Sequence, residues 1–338
     1  MDSSTRLPLL RLPSLAIDAV LSTMIPFELI NLSKASTTCN LIVKSFSKNR
    51  IQKNFEIGVS NIITPMIRFI PNEYYCYDLK ITDDIEKVGT RDSENKHDYH
   101  YEIAYMYSNG ENLMKKCMDV FMEIKQLFNV DINYCGLCLT KFTELHQTIL
   151  DWLLENGRLF TNLYMYPFDA PVALVDQTLN VLTMVKRVHI AGRTTPNCEY
   201  SIPDHIEELI VDRGQWVKLE HLLSFKAPTI DILRSELTNE DLNALLKSWM
   251  NMESLQQLKS LCINLIDPDN FDSVLQDIPH QIGHPDRTTL RYFSPGEYLR
   301  LNGGFDIEMK DGVTASIFVQ RLASIAVCMF INIQIINS

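Results

Sequence analysis

The chain has 338 residues, of which 46% are hydrophobic and 22% charged, values of an ordinary globular protein with apolar material for two or three cored units. A net charge of −11 disfavours a nucleic-acid backbone as partner over most of the surface. Eight cysteines, several inside apolar runs (Cys39, Cys117, Cys262), read as free buried thiols of a reducing compartment, cytoplasmic or nuclear.

No secretory signal is read at the start, because Arg6, Pro8, Arg11 and Pro13 break the first apolar run. Leu7 to Phe46 then holds 22 apolar residues in 40, five charged residues and no glycine. Three short helices of this composition have too little interior to hide that surface among themselves, so some of it is expected to face a partner. The first helix is LAIDAVLSTM after Pro13-Ser14. The second starts at Pro26, whose fixed φ suits a first turn, with Glu28 at the positive end of the helix. It is apolar on two sides (Phe27 and Ile30; Leu29 and Leu32) and so packs against two things. The third shows Cys39, Ile42, Val43 and Phe46 at helical spacing. The basic residues Lys44, Lys48, Arg50 and Lys53 read as a solvated helix end.

Residues 83–112 are polar and irregular, and predict an exposed loop centred on Arg91 to His100. A rhythm begins at about residue 113. Met114, Cys117, Phe121, Ile124 and Phe128 predict a helix, as do Phe142, Leu145, Ile149, Trp152 and Leu153 with Gly157 as the stop, and Val175, Leu179, Leu182 and Val185. Short extended runs start at 137, 163, 188, 209, 230 and 261. Most of these intervals fit one strand plus one helix per unit, the period of leucine-rich solenoids at about 20–29 residues. The asparagine of the usual leucine-rich turn recurs at no regular place. The spacing favours a curved, degenerate solenoid over an ordinary sheet of successive αβ units. Phe305, Ile307 and Met309, then Asp311-Gly312, then Val313, Ala315 and Ile317 predict a hairpin with a two-residue turn, both turn residues at positive φ. Leu322 to Ile336 is apolar but short of the roughly 20 residues of a membrane span, and reads as a final strand or buried element rather than a membrane anchor.

Catalytic signatures are absent: the chain has no phosphate loop, dinucleotide fingerprint, nucleophile elbow or zinc-helix motif. Cys135 and Cys138 have redox-pair spacing, but the second lies in an extended run, which favours a structural reading. His280 and His284 stand among Pro279, Gly283 and Pro285, which favours a loop over a ligand-bearing helix. Asp267 and Asp269 read as an N-cap for the following NFDSVL. Tyr74, Tyr75, Tyr77, Tyr99, Tyr101, Tyr105 and Tyr107 are read either as a recognition surface or as half-buried strand residues.

Two segments carry a resemblance. Leu12-Pro13, Val20-Leu21, Pro26-Phe27-Glu28-Leu29, Leu32-Ser33 and Ala35-Ser36, opened by LPLLRLP, resemble an F-box, with Phe46 where a tryptophan often stands. LNALLKSWMNMESLQQLKSLCI, with Leu242, Leu246, Trp249, Leu255, Leu258 and Leu261, followed by the Gly304 to Ile307 and Asp311-Gly312 hairpin, resembles the F-box-associated type 2 domain. The resemblance implies an F-box over residues 7–55, connecting strands and an exposed loop over 56–112, a leucine-rich-like substrate-binding domain over 113–320 and an apolar tail over 321–338. It further implies a non-catalytic, cofactor-free and metal-free substrate-recognition subunit of a Skp-cullin-F-box ubiquitin ligase. Such a subunit binds a Skp-type adaptor, and through it a cullin, with the F-box, and a target protein with the downstream domain; nucleic acid and membrane are not expected partners. The adaptor-facing residues implied are Leu9, Leu12, Pro13, Val20, Leu21, Pro26, Leu29 and Ile30, each of which could instead pack inside the helical unit. The rival expectation is a non-ligase interaction scaffold whose N-terminal helices cap a solenoid.

Overall fold

The computed structural model describes residues 9–50, 56–72, 74–96, 99–157, 160–192, 198–284, 286–294, 297–322 and 326–334. Leu7, Lys53 and Pro285 lie outside these residues. The chain divides into two compact units, Met1–Gly136 with Asn156–Phe160, and Leu137–Glu155 with Thr161–Ser338.

In the first unit a 3-10 turn, Leu9–Arg11, leads into α1 (Ser14–Leu21), α2 (Pro26–Ala35) and α3 (Thr37–Arg50). Pro26 opens α2 after an extended Ile25, and the Glu28 carboxylate accepts the Ile25 N–H at 3.1 Å, so the predicted start is the observed one. Five strands follow: β1 (Glu56–Ser60), β2 (Met66–Asn72), β3 (Tyr75–Thr82), β4 (Arg91–Lys96) and β5 (Tyr99–Tyr107). Then come α4 (Leu113–Phe128) and β6 (Tyr134–Cys138). The sheet order is β6-β1-β2-β3-β5-β4, with β6–β1 and β3–β5 parallel and the remaining pairs antiparallel.

The stripe predicted for α4 is its buried face: Met114, Cys117, Phe121, Ile124 and Phe128 are all sealed. It packs on β2 and β3 and against α2 and α3. A chain of edge-to-face rings, Phe27–Phe69 at 6.5 Å and Phe69–Phe128 at 6.2 Å, ties α2 and α4 to the sheet. The helix that is apolar on two sides therefore meets its own sheet on one side and α3 on the other.

One expectation is overturned here. The exposed loop expected around Arg91 to His100 is an edge hairpin, in which Asp92, Glu94 and Lys96 pair with Ile103, Tyr101 and Tyr99. The strand hides from sequence patterning because an edge has no apolar face to alternate, and its charges discourage pairing with other chains.

In the second unit, α5 (His146–Asn156), β7 (Asn162–Tyr166), α6 (Val172–Val181), β8 (Arg187–Ile190), β9 (Glu208–Val211), α7 (Leu219–Ser224), β10 (Thr229–Ile232), α8 (Asn239–Met250) and β11 (Ser260–Asn264) succeed one another. Strands β7 to β11 are parallel neighbours in chain order. Their register is unbroken: Leu163, Val188, Leu209, Ile230 and Leu261 stand in one row, and Met165, Ile190, Val211, Ile232 and Ile263 in another. All ten are sealed. Residues between these rows point to the opposite face. In α8, the Thr238 hydroxyl accepts the Asp241 N–H and the Asp241 carboxylate accepts the Thr238 N–H, a reciprocal cap.

The unit closes with β12 (Gln281–Ile282), β13 (Thr288–Ser294), β14 (Glu297–Asn302), β15 (Phe305–Glu308), β16 (Thr314–Leu322) and β17 (Ala326–Gln334). The apolar C-terminal run forms β17, inserted antiparallel between β11 and β16. No helix among the described residues is long and apolar enough to cross a membrane. Leu301 of β14 packs over Cys262, Phe318, Cys328 and Phe330, which covers this end of the second face.

The β15–β16 hairpin forms as expected, but its turn differs. Gly312 N–H donates to Met309 O at 3.0 Å and Met309 N–H to Val313 O at 2.8 Å. Only Gly312, not Asp311, has positive φ. That is a three-residue loop with the glycine in the bulge position. Asp267 also departs from expectation: it precedes the 3-10 segment Pro268–Ser273 but its side chain makes no capping bond. Its carbonyl instead accepts from the Asn239 amide at 2.9 Å.

Candidate functional site

Two surfaces present the chemistry of recognition, one in each unit. On the first, the eight residues named from sequence separate into two sets. Leu21, Pro26, Leu29 and Ile30 are sealed, with Leu21 at 0% and Leu29 at 2% exposure, which is the inward packing given above as the alternative for each residue. The apolar excess of α2 is absorbed by β2, β3, α3 and α4 of the same unit, not by the three helices alone. Leu9, Leu12 and Val20 are half-buried and Pro13 is exposed.

Sequence reasoning missed the most open apolar side chains in this region: Leu10 at 47%, Leu15 at 81% and Leu41 at 62%. The signal was there. Leu15 stands six residues before buried Leu21, about 240° around the helix, and Leu41 stands two residues, about 200°, from both Cys39 and Val43.

The second surface is the face of β7 to β10 opposite the sealed rows. It carries Asn162, Tyr164 and Tyr166 on β7, Arg187 and His189 on β8, Glu208 and Ile210 on β9, then Asp212. Arg187 donates to Glu208 at 2.6 Å. The His189 and Asp212 side chains meet at 2.8 Å, and the His189 ring lies 5.4 Å from that of Tyr164. Tyr166 stacks on Phe168 at 5.7 Å. Hydroxyl, imidazole, guanidinium and carboxylate groups thus share a half-exposed face.

Residues 198–263 match the FBA_2 family, described as F-box associated. The F-box-associated segment covers β9, α7, β10, α8 and β11, and includes the leucines that carried the resemblance from sequence; the hairpin from Gly304 to Gly312 lies beyond it. No F-box is detected. The chain is also similar to a Skn-1 dependent zygotic transcript 15 protein of Caenorhabditis elegans. The alignment spans 272 residues at 21% identity and covers 72% of this chain and 75% of the relative. No solved structure matches. Inside the F-box-associated segment, a cleft of about 240 Å³ opens between Phe225–Ala227 and Glu253–Leu258.

The remaining sequence candidates resolve one by one. Cys135 and Cys138 are buried and form no disulfide, as is true of all eight cysteines. Burial holds the Cys135 thiol well above its ordinary value and pushes Cys76 up to about 11, so these thiols stay protonated. His280 lies in a loop, its ring bonded to the Ile278 carbonyl at 2.8 Å. Among the described residues no group of three or more His, Cys, Asp or Glu is arranged to hold a metal ion. The tyrosines divide between the two readings: Tyr74, Tyr75 and Tyr107 are exposed, whereas Tyr77, Tyr101 and Tyr105 are half-buried strand residues. Burial, reinforced by the Asp92 carboxylate that its hydroxyl bonds, pushes the Tyr105 phenol up to about 12.

Proposed function

We propose that this chain is the substrate-recognition subunit of a Skp-cullin-F-box type ubiquitin ligase, non-catalytic and without a cofactor. Its N-terminal helices recruit a Skp-type adaptor and, through it, a cullin; its second unit captures a target protein in the cytoplasm or nucleus. The observation that carries the reading is the exposure of Leu10, Leu15 and Leu41 on helices N-terminal to a unit with an F-box-associated match. Leu15 and Leu41 stand on helices that touch, and large leucines left in water on such neighbours are suited to being covered by a partner. The adaptor contacts in this reading are Leu9, Leu10, Leu12, Pro13, Leu15, Val20 and Leu41. The second unit is read as a degenerate leucine-rich-like solenoid. Its support is the chain-order parallel strands β7 to β11 in unbroken register, with helices between β7 and β8, β9 and β10, and β10 and β11.

Co-expression with a Skp-type adaptor tests the recruitment half. The double variant Leu15→Asp, Leu41→Asp is expected to fold and to lose adaptor co-purification; undiminished co-purification contradicts the reading. A second reading, a non-ligase scaffold, draws support from the sealing of Leu21, Pro26, Leu29 and Ile30, which makes the helices a built-in part of their own unit. A wild-type chain that never retains adaptor would favour it.

A further inference from the structure

The turn that leaves β7 adopts a backbone its residues resist. Ala170 N–H donates to Pro167 O at 2.9 Å, and both central residues, Phe168 at φ 42° and Asp169 at φ 65°, are left-handed. Glycine, asparagine and aspartate suit such positions, but a bulky phenylalanine is strained there. Burial does not account for it, because Phe168 is 39% exposed. The ring lies on Tyr166, nearly parallel at 29°, and beside Gly192, where a Cβ would come within 3.1 Å of it. Gly192 itself has φ 86°. Strain that holds an exposed ring in place points to function.

The surroundings of this shelf are acidic. Asp169 is the next residue and is exposed, and Asp212 meets His189 two strands away from β7. Tyr200 has its phenol held well above the ordinary value by burial first, then by Cys198, Asp169 and Asp176. No lysine or arginine among the described residues forms an ion pair with Asp169, Asp176 or Asp212. The exposed Phe168 ring beside Asp169, which pairs with no lysine, arginine or histidine among the described residues, suits a cation with a flat apolar face, which is the guanidinium group.

We infer that the Tyr166–Phe168 shelf seats an arginine side chain from an extended basic segment of the captured protein, the guanidinium lying on the Phe168 ring and paired with Asp169. The inference rests on reading the second unit as the capture domain. The probe is a fluorescein-labelled Gly-Ser peptide with arginine at three alternate positions, titrated with the full chain at 0.15 M salt and followed by anisotropy. Saturable one-to-one binding is expected, weakened at least tenfold by Phe168→Gly and by Asp169→Asn. Phe168→Gly relieves the strained turn and should melt no lower than wild type, so its loss of binding is not unfolding. Glu240→Gln, an exposed carboxylate on α8, should leave binding unchanged, which separates the shelf from general attraction to an acidic chain.

Four results would overturn the inference: absent saturation, equal binding of a glutamine-substituted peptide, indifference to Phe168→Gly, or sedimentation showing that the shelf joins two copies of this chain. Adaptor co-purification from the same preparation separates the two claims. Arginine binding that fails while adaptor is retained removes the shelf alone; adaptor loss with arginine binding intact removes the recruitment reading alone.

Discussion

At the scale of single residues, Asp306 shows how one side chain links the closing strands to pH. Its carboxylate accepts from Arg287 and, at 2.6 Å, from the Ser316 hydroxyl. Burial alone would raise its pKa, but the bonds from Arg287 and Ser316 outweigh it and hold the group below its ordinary value. A depressed carboxylate contributes stability that is fully present above the unfolded value near 3.9 and is lost as pH falls through the lower folded value. Chemical denaturation from pH 7 to pH 2 should therefore show stability falling below about pH 4. Asp306→Asn should lower stability at pH 7 by about 1 kcal/mol and flatten that acid limb. A variant with an unchanged acid limb would assign it to other carboxylates.

At the scale of elements, α2 and α1 answer to different demands although both are rich in the same residue types. Phe27 of α2 is 4% exposed and meets Phe69 and Tyr77 edge to face. Phe27→Ala is expected to cost about 3–5 kcal/mol in urea unfolding, the usual loss for a buried ring. Leu15→Ala on α1 should change stability by less than about 0.5 kcal/mol, as befits an exposed site. Equal losses would mean that the α1 surface is covered by the chain itself. This contrast marks the limit of legibility in the N-terminal segment. Helix positions could be read from Pro26 and from the Cys39-Val43-Phe46 spacing. Which apolar face meets water could not, because leucine serves core and docking surface alike. The edge strand β4 was illegible for the opposite reason: its residues are polar on both faces.

At the scale of the whole molecule, the most readable part was the repeating unit. The spacing of apolar runs from 137 to 261 located β6 to β11, and the helical stripes located α4 whole but α5 and α6 in part: Phe142 and Leu145 precede α5, and Leu182 and Val185 follow α6. The strained turn at Phe168 had no sequence signal, since nothing in Pro167-Phe168-Asp169-Ala170 announces two left-handed residues. The proposed function places recruitment and capture on separate units: leucines of the N-terminal helices on one, a polar and aromatic sheet face on the other.

Hydrogen exchange of the full chain with and without purified Skp-type adaptor tests this assignment most directly. The account predicts slowed exchange in α1 and the first half of α3, with α2 already slow and unchanged because its apolar face is sealed. Faster exchange in α2 on adaptor binding, or protection confined to residues outside the N-terminal helices, would contradict it.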